Sequence, residues 1–352
     1  MKKGKGKRAV SAALAAVVAA VSLYCTASRL GESFSDSEKL CMTAAGLAMP
    51  VSAVQNEAEP SRQTEPAGQD ASQAEEKPVS ATKPAEEATA AVREYGGEAY
   101  PVIESQYGTP GEITIKNTTD FDIDVDYELS APLGFELEDT DEPQVLIVHT
   151  HACEAYLQQD EGVYYSEYTG RSTDNNENLT SAGQILADSL SENGIVAVHS
   201  DVQHDNPSYN GSYDRSAQTI YEYLEKYPSI KVVIDFHRDS IGYGGEDGKI
   251  KPTFEVNGKK AAQIMIMSGY DPSGAYGFEH WEYNLRFALR LQQKAEQLYP
   301  GMTRPLYFGD FAYNMNINSG SLLIEVGTEV NTLEEAKYTS ELLGEVIAQA
   351  LA

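Results

Sequence analysis

From Pro143 to the C-terminus the chain alternates short apolar runs with amphipathic helical stretches, and that alternation admits few folds. Val145–Val148, Ile195–Val198, Lys231–Phe236, Ala262–Met267 and Leu322–Val326 are almost continuously apolar. Strands without a polar face are buried on both sides of a sheet. Between them lie helical patterns. Asn178–Asn193 sets Leu179, Ala182, Ile185, Leu186 and Leu190 on one face and is closed by Gly194. Tyr213–Tyr227 is stopped by Pro228 and Trp281–Tyr299 by Pro300, and Thr332–Leu351 forms the last helix. The expectation is an α/β domain, a mostly parallel sheet with flanking helices. Upstream, Glu112–Glu128 alternates apolar and polar residues and predicts one or two half-buried strands. No internal repeat is evident.

The N-terminus has a different character. Lys2, Lys3, Lys5, Lys7 and Arg8 precede an uncharged apolar run, Ala9–Ala27. A basic end followed by such a run marks a secretory segment whose basic side stays in the cytoplasm. Its length is close to the roughly 20 residues that span a bilayer as a helix. Residues 1–30 therefore read as a signal or membrane anchor, leaving the remainder outside the cytoplasm, secreted if the segment is cleaved. Gln55–Glu94 is rich in Glu, Ala, Pro, Gln, Ser and Thr and has no aromatic residue, too little apolar surface to order itself. Residues 31–95 read as a disordered acidic linker, and 96–352 as the folded domain.

The 352 residues carry 26 Lys and Arg against 54 Asp and Glu, a net charge of −28. Residues 95–352 hold 42 of the acidic and 15 of the basic side chains, so nearly all the excess belongs to the folded part. That balance argues against nucleic-acid binding, which needs clustered Lys and Arg on phosphates, and it favours gathering cations. The cysteines, Cys25, Cys41 and Cys153, are odd in number and widely spaced. They give neither a disulfide framework nor a thiolate metal site.

Ligands of open α/β sheets bind beyond the C-terminal strand ends, and chemistry-bearing residues collect there. In VLIVHTHACEAY a buried strand delivers His149 and His151, with Glu154 just after. The two histidines share a side if the chain stays extended. In VVIDFHRD another buried strand ends in Asp235, His237, Arg238 and Asp239. Polar residues crowding a core strand are costly unless paired or functional. An open catalytic zinc site needs three protein ligands plus water. His237 and His151 (or His149 in its place) supply two. A carboxylate from RSTDNNENL, Asp174 first, with Glu177 and Glu154 in reserve, supplies the third, although Asp174 or Asn175 also suits a helix cap. Glu325, alone in the apolar strand SLLIEVG, has the setting of a general base beside a metal, or of a partner to Arg238. There is no HExxH, no GxSxG and no P-loop. Cys153 has no evident activating neighbour.

In this order the motifs resemble the stage II sporulation protein P family over roughly residues 100–352. The pieces are IKNTT at Ile115–Thr119, VLIVHTHACEAY, STDNNENL, DFHRDS at Asp235–Ser240 and SLLIEVGTEVNTLEEA at Ser321–Ala336. The resemblance implies a zinc-dependent N-acetylmuramoyl-L-alanine amidase with an α/β fold, which cleaves the amide between muramic acid and the stem peptide of peptidoglycan. It also implies endopeptidase cleavage of cross-links, a role in septal thinning and engulfment during sporulation, and stage II sporulation proteins D and M as partners. Carried over, His151 and His237 fall at zinc ligands, Asp174 at the acidic ligand and Glu325 at the catalytic glutamate. Arg238 would orient a carboxylate or support the oxyanion. A non-catalytic wall scaffold, and a metal-dependent deacetylase or peptidase, remain the alternatives.

Overall fold

The computed structural model describes residues 95–352. The expected anchor, and all but the last residue of the expected linker, lie outside the described residues. Among those described, no helix is long and apolar enough to cross a membrane.

The apolar runs form strands where the sequence places them. β1 (Ala99–Ser105), β2 (Ile115–Asn117) and a short helix α1 (Val125–Ser130) lead into β3 (Val145–Val148) and β4 (Val163–Tyr165). Then come α2 (Leu179–Glu192), β5 (Ala197–His199), α3 (Ser212–Lys226) and β6 (Val232–Asp239). β7 (Lys249–Val256), β8 (Lys259–Ala262), β9 (Ile264–Gly269), α4 (Trp281–Leu298), β10 (Leu306–Gly309), β11 (Ser321–Thr328) and α5 (Leu333–Leu351) complete the chain. Glu112–Glu128 is only partly the expected strand. After β2 the chain turns helical because the Asp124 carboxylate accepts from Tyr127 N and caps α1.

The main sheet has seven strands in the order β2-β10-β9-β11-β6-β3-β5. Every pairing is parallel except β9 with β11, so a mostly parallel sheet holds, with one antiparallel junction near its middle. A second sheet, β4-β1-β7-β8, was not legible as such: its strands are half exposed and carry mixed residues.

Period-two alternation divides the main sheet into two faces. Val145, Ile147, Val232, Ile234, Phe236, Ile264, Ile266, Leu322, Ile324 and Val326 join the large core with residues of α2, α4 and α5. The intervening residues point the other way. Leu146, Val148 and Val233 pack under α3 through Ile220. Met265, Met267 and Leu323 pack with Phe278, Phe311 and Met315. One helix thus covers only part of this second face, and Asp235, His237, Asp239 and Glu325 belong to it by parity. α2 is capped by Asn178, whose side chain accepts from Thr180 N, so the cap is neither Asp174 nor Asn175. α5 opens with a capping box between Thr332 and Glu335.

Candidate active site

β6 and β11 run parallel with Glu325 directly beside His237 in register. Beyond Glu325 the register shifts before Thr328 pairs with Asp239. Gly327 makes the shift at φ 62, where a side chain would also collide with Asn331 Oδ1. Such a bulge re-aims a strand end, here the one carrying Glu325.

His151 reaches the same place by a turn. The chain leaves β3 after Val148, and Glu154 N donates to His151 O. The His151 ring lies edge-on to His237 with centroids 5.2 Å apart, and Ser212 Oγ is 3.3 Å from its Nδ1. Glu154 Oε2 is 3.9 Å from His237 Nδ1. Asp235 Oδ1 is 2.9 Å from His237 Nε2, close but off the line of a hydrogen bond, so Nε2 has no aligned partner. Glu325 Oε2 is likewise buried without one. Asp235 is held by Thr150, whose N and Oγ1 donate to its two oxygens at 2.8 and 2.7 Å.

The carboxylates Asp235, Glu154, Glu325 and Asp239 create a demand for positive charge. Burial alone would depress His237, but Asp235 and then Glu154 and Glu325 raise it to about 9. Burial would raise Asp235, which His237 and the Thr150 bonds instead lower to about 2. Burial holds His151 down at about 4. Burial, with Asp239 adding repulsion, keeps Glu325 well above the ordinary carboxylate range.

Two imidazoles, a carboxylate and a desolvated glutamate are the donor chemistry of an open zinc site, and the unpartnered Glu325 oxygen suits a group that acts on a bound molecule. The side chains as they stand are close without converging: among the described residues no three His, Cys, Asp or Glu groups surround one point.

The remaining expected residues lie elsewhere. His149 continues the parity of Val145 and Ile147 and faces α2. Its Nδ1 donates to Phe236 O at 2.9 Å and its Nε2 meets His199 Nε2 at 2.8 Å. The turn after Val148 separates it from His151, so it is outside the cluster. Asp174 is exposed and its carboxylate accepts from Asn176 N within its own loop, and Glu177 accepts from Ser172 Oγ. The carboxylate on the Nδ1 side of His237 is therefore Glu154. Arg238 follows the opposite parity to His237, and its Nη2 donates to Gly170 O. It anchors that loop rather than facing Glu325. Cys153 is buried and its thiol is pushed up to about 12 by burial and by Asp205, which removes it as a nucleophile.

Arg304 was missed. Its Nη2 donates to Asp239 Oδ2 at 2.7 Å, its Nη1 is buried without a partner, and its charge reaches Glu325. It precedes β10 and has no motif around it; only its place at a strand start could have marked it.

A family model described as stage II sporulation protein P matches residues 33–348. The chain belongs to the stage II sporulation protein P family. A curated member, stage II sporulation protein P of Bacillus subtilis (strain 168), is 26% identical over 220 residues, covering 59% of this chain and 51% of that protein. The chain thus spans about half the length of that relative. Among solved structures, the N-acetylmuramyl-L-alanine amidase Ami1 of Mycobacterium abscessus is 16% identical, with a TM-score of 0.33 over 59% of this chain and 94% of that one. The CwlD amidase of Clostridioides difficile, solved with the GerS lipoprotein, is 12% identical with a TM-score of 0.32, over 59% and 94%. Likenesses this loose carry no argument about chemistry. Three of the sequence segments quoted above meet in this cluster: VLIVHTH contributes His151, DFHRDS contributes His237, and SLLIEVG contributes Glu325.

Proposed function

We propose that the protein is a zinc-dependent peptidoglycan hydrolase that cleaves the amide between N-acetylmuramic acid and L-alanine, with endopeptidase cleavage of stem peptides as a secondary activity. Membership of the sporulation family supports a cell-wall role in septal thinning and engulfment, with stage II sporulation proteins D and M as partners. The basic, apolar N-terminus supports attachment to the membrane by a single span, with the catalytic domain outside the cytoplasm.

The observation that carries the reading is the register of Glu325 against His237, with His151 and Glu154 close to His237 beside a half-covered sheet face. His151, His237 and Glu154 would hold the zinc, which when bound polarises the amide carbonyl and lowers the pKa of its water to about 7. Asp235 stands 2.9 Å from Nε2 of His237, where a small turn of the ring would make the hydrogen bond by which a carboxylate orients a ligating imidazole. Its own grip on Thr150 fixes that orientation. Glu325, whose raised pKa makes its carboxylate a stronger base than an ordinary one, would in its ionised form take the proton of the attacking water and return it to the departing amine. Arg304 and Asp239 fix the polar wall behind it.

The test is to incubate the purified protein with peptidoglycan, with and without a chelator, and to identify the new ends by mass spectrometry. The expected result is N-acetylmuramic acid freed of L-alanine, abolished by the chelator and restored by zinc. Cuts confined to the stem peptide would replace the amidase by a peptidase. No new ends, from protein that binds no metal, would leave the scaffold reading in its place.

A further inference from the structure

The uncovered part of the second sheet face is bordered by aromatic rings in unbroken contact. Tyr209 stacks on the His151 imidazole with centroids 4.3 Å apart and planes 14° apart. Tyr213 meets the same imidazole edge-on at 5.5 Å. Tyr213 stacks on Tyr313 at 5.3 Å, Tyr313 on Phe311 at 5.0 Å, and Phe311 approaches Tyr307 at 5.3 Å. The line begins at a proposed zinc ligand and crosses the sheet past Glu325, whose charge Tyr209, Tyr213 and Tyr313 all feel. Its ends are open. Tyr209 is 50% exposed although its ring is packed on His151, and Tyr307 and Tyr313 are half-buried.

We propose that Tyr209, Tyr213, Tyr313, Phe311 and Tyr307 form a saccharide platform that seats the sugar rings of a glycan strand beside His151. The proposal deepens the hydrolase reading and rests on it for the identity of the polymer. Three observations favour sugar rings as the occupant.

The first is the surface itself. Flat rings, four of the five carrying a hydroxyl at the edge and Phe311 buried among them, match the face of a pyranose, which is apolar on its C–H side and polar at its rim. The second is charge. With 42 acidic and 15 basic side chains in residues 95–352, the molecule repels anionic ligands over the screening length, whereas the rings of an amidated glycan backbone are uncharged.

The third is the rigidity given to the platform. Tyr313 and Asn314 have φ of 43° and 60°, two consecutive non-glycine residues in the left-handed region. Such backbone persists only where its surroundings impose it, typically at binding sites. Here Asn314 Nδ2 donates to Tyr213 O at 2.9 Å and to Ser216 Oγ at 3.0 Å. Ser216 Oγ is 2.7 Å from Thr150 Oγ1, which donates to Asp235. One hydrogen-bonded chain therefore joins the strained aromatic turn to the carboxylate beside His237. The Tyr209 loop is also fixed: Asp205 binds Arg171 and accepts from Cys153 N, and Arg215 donates to His204 O and Ser208 O. A platform held this firmly sets the distance between a seated sugar and the site.

The test uses the full chain carrying Glu325→Gln and two probes: a peptide-free tetrasaccharide of alternating N-acetylglucosamine and N-acetylmuramic acid with its lactyl carboxyls capped as simple amides, and a free stem peptide beginning with L-alanine. Added to this background, Tyr313→Ala is expected to weaken binding of the tetrasaccharide about tenfold, as loss of one stacking ring should. It should weaken the peptide far less, and Tyr313→Phe should restore sugar binding. Undiminished sugar binding in Tyr313→Ala, equal losses on both probes, or no sugar binding by the parent protein would overturn the platform. The wild-type chain separates the two readings. Binding of the tetrasaccharide without release of peptide from peptidoglycan removes the amidase and keeps the platform, while release that ignores Tyr313→Ala and Tyr209→Ala does the reverse.

Discussion

Glu325 is a carboxyl in an eight-residue strand that is buried throughout, and its two neighbours across the sheet are His237 and Met265. A packed apolar strand tolerates such a group only if its neutral form is acceptable or a cation balances it. That anomaly was visible in SLLIEVG, as was the crowding in VVIDFHRD. Replacing Glu325 with Gln keeps the shape and removes the proton acceptor. Hydrolysis should fall roughly 100- to 10,000-fold, the range for a lost general base, while zinc stays at the parental stoichiometry by atomic absorption. A variant that loses its metal would make Glu325 a ligand instead, and full activity would end its role. The choice among carboxylates for the third ligand was less legible. Asp174 and Glu154 both follow a buried strand or precede a helix, and only the turn from His151 to Glu154 brings one of them to His237.

At the level of elements, continuous apolar runs located β3, β6, β9 and β11 because strands buried on both faces have no other way to read. Where one face is wet the signal fails. β1 and β7 mix charged and apolar residues, and Asp124 diverts the end of an alternating stretch into α1. His149 is a similar case: alternation was counted through a segment that turns. Its true neighbour is α2, whose Gly183 lies so close that a Cβ there would stand 2.5 Å from the His149 ring. Glycine in a helix interior costs about 1 kcal/mol relative to alanine, so on propensity alone Gly183→Ala should stabilise. The contact decides otherwise. Overpacking against a fully buried ring flanked by Phe236 and His199 should cost about 1–3 kcal/mol, read as a lower urea midpoint. A rise in the midpoint would mean that α2 can shift away from the sheet.

The whole molecule is strongly acidic, and acidification acts on it in two opposed ways. Fewer negative charges relieve repulsion across the surface. Against this, burial depresses His149 to about 3 and His199 to about 4, from 6.5. The hydrogen bonds of His149 require its neutral ring: its Nδ1 must donate to the Phe236 carbonyl, so its Nε2 accepts from His199 Nε2. As pH falls below about 6.5 the unfolded chain takes up protons that the folded pair refuses. The stability present above that pH is therefore lost progressively toward about pH 4. Between pH 7.5 and 5 the loss for one such histidine approaches about 2 kcal/mol. His199→Gln removes this group and leaves the surface charge nearly unchanged. Its unfolding free energy should fall by about 2 kcal/mol less than the parent's over that interval. Equal losses in the two proteins would take His199 out of the acid sensitivity and leave it to His149 and to the carboxylates around His237.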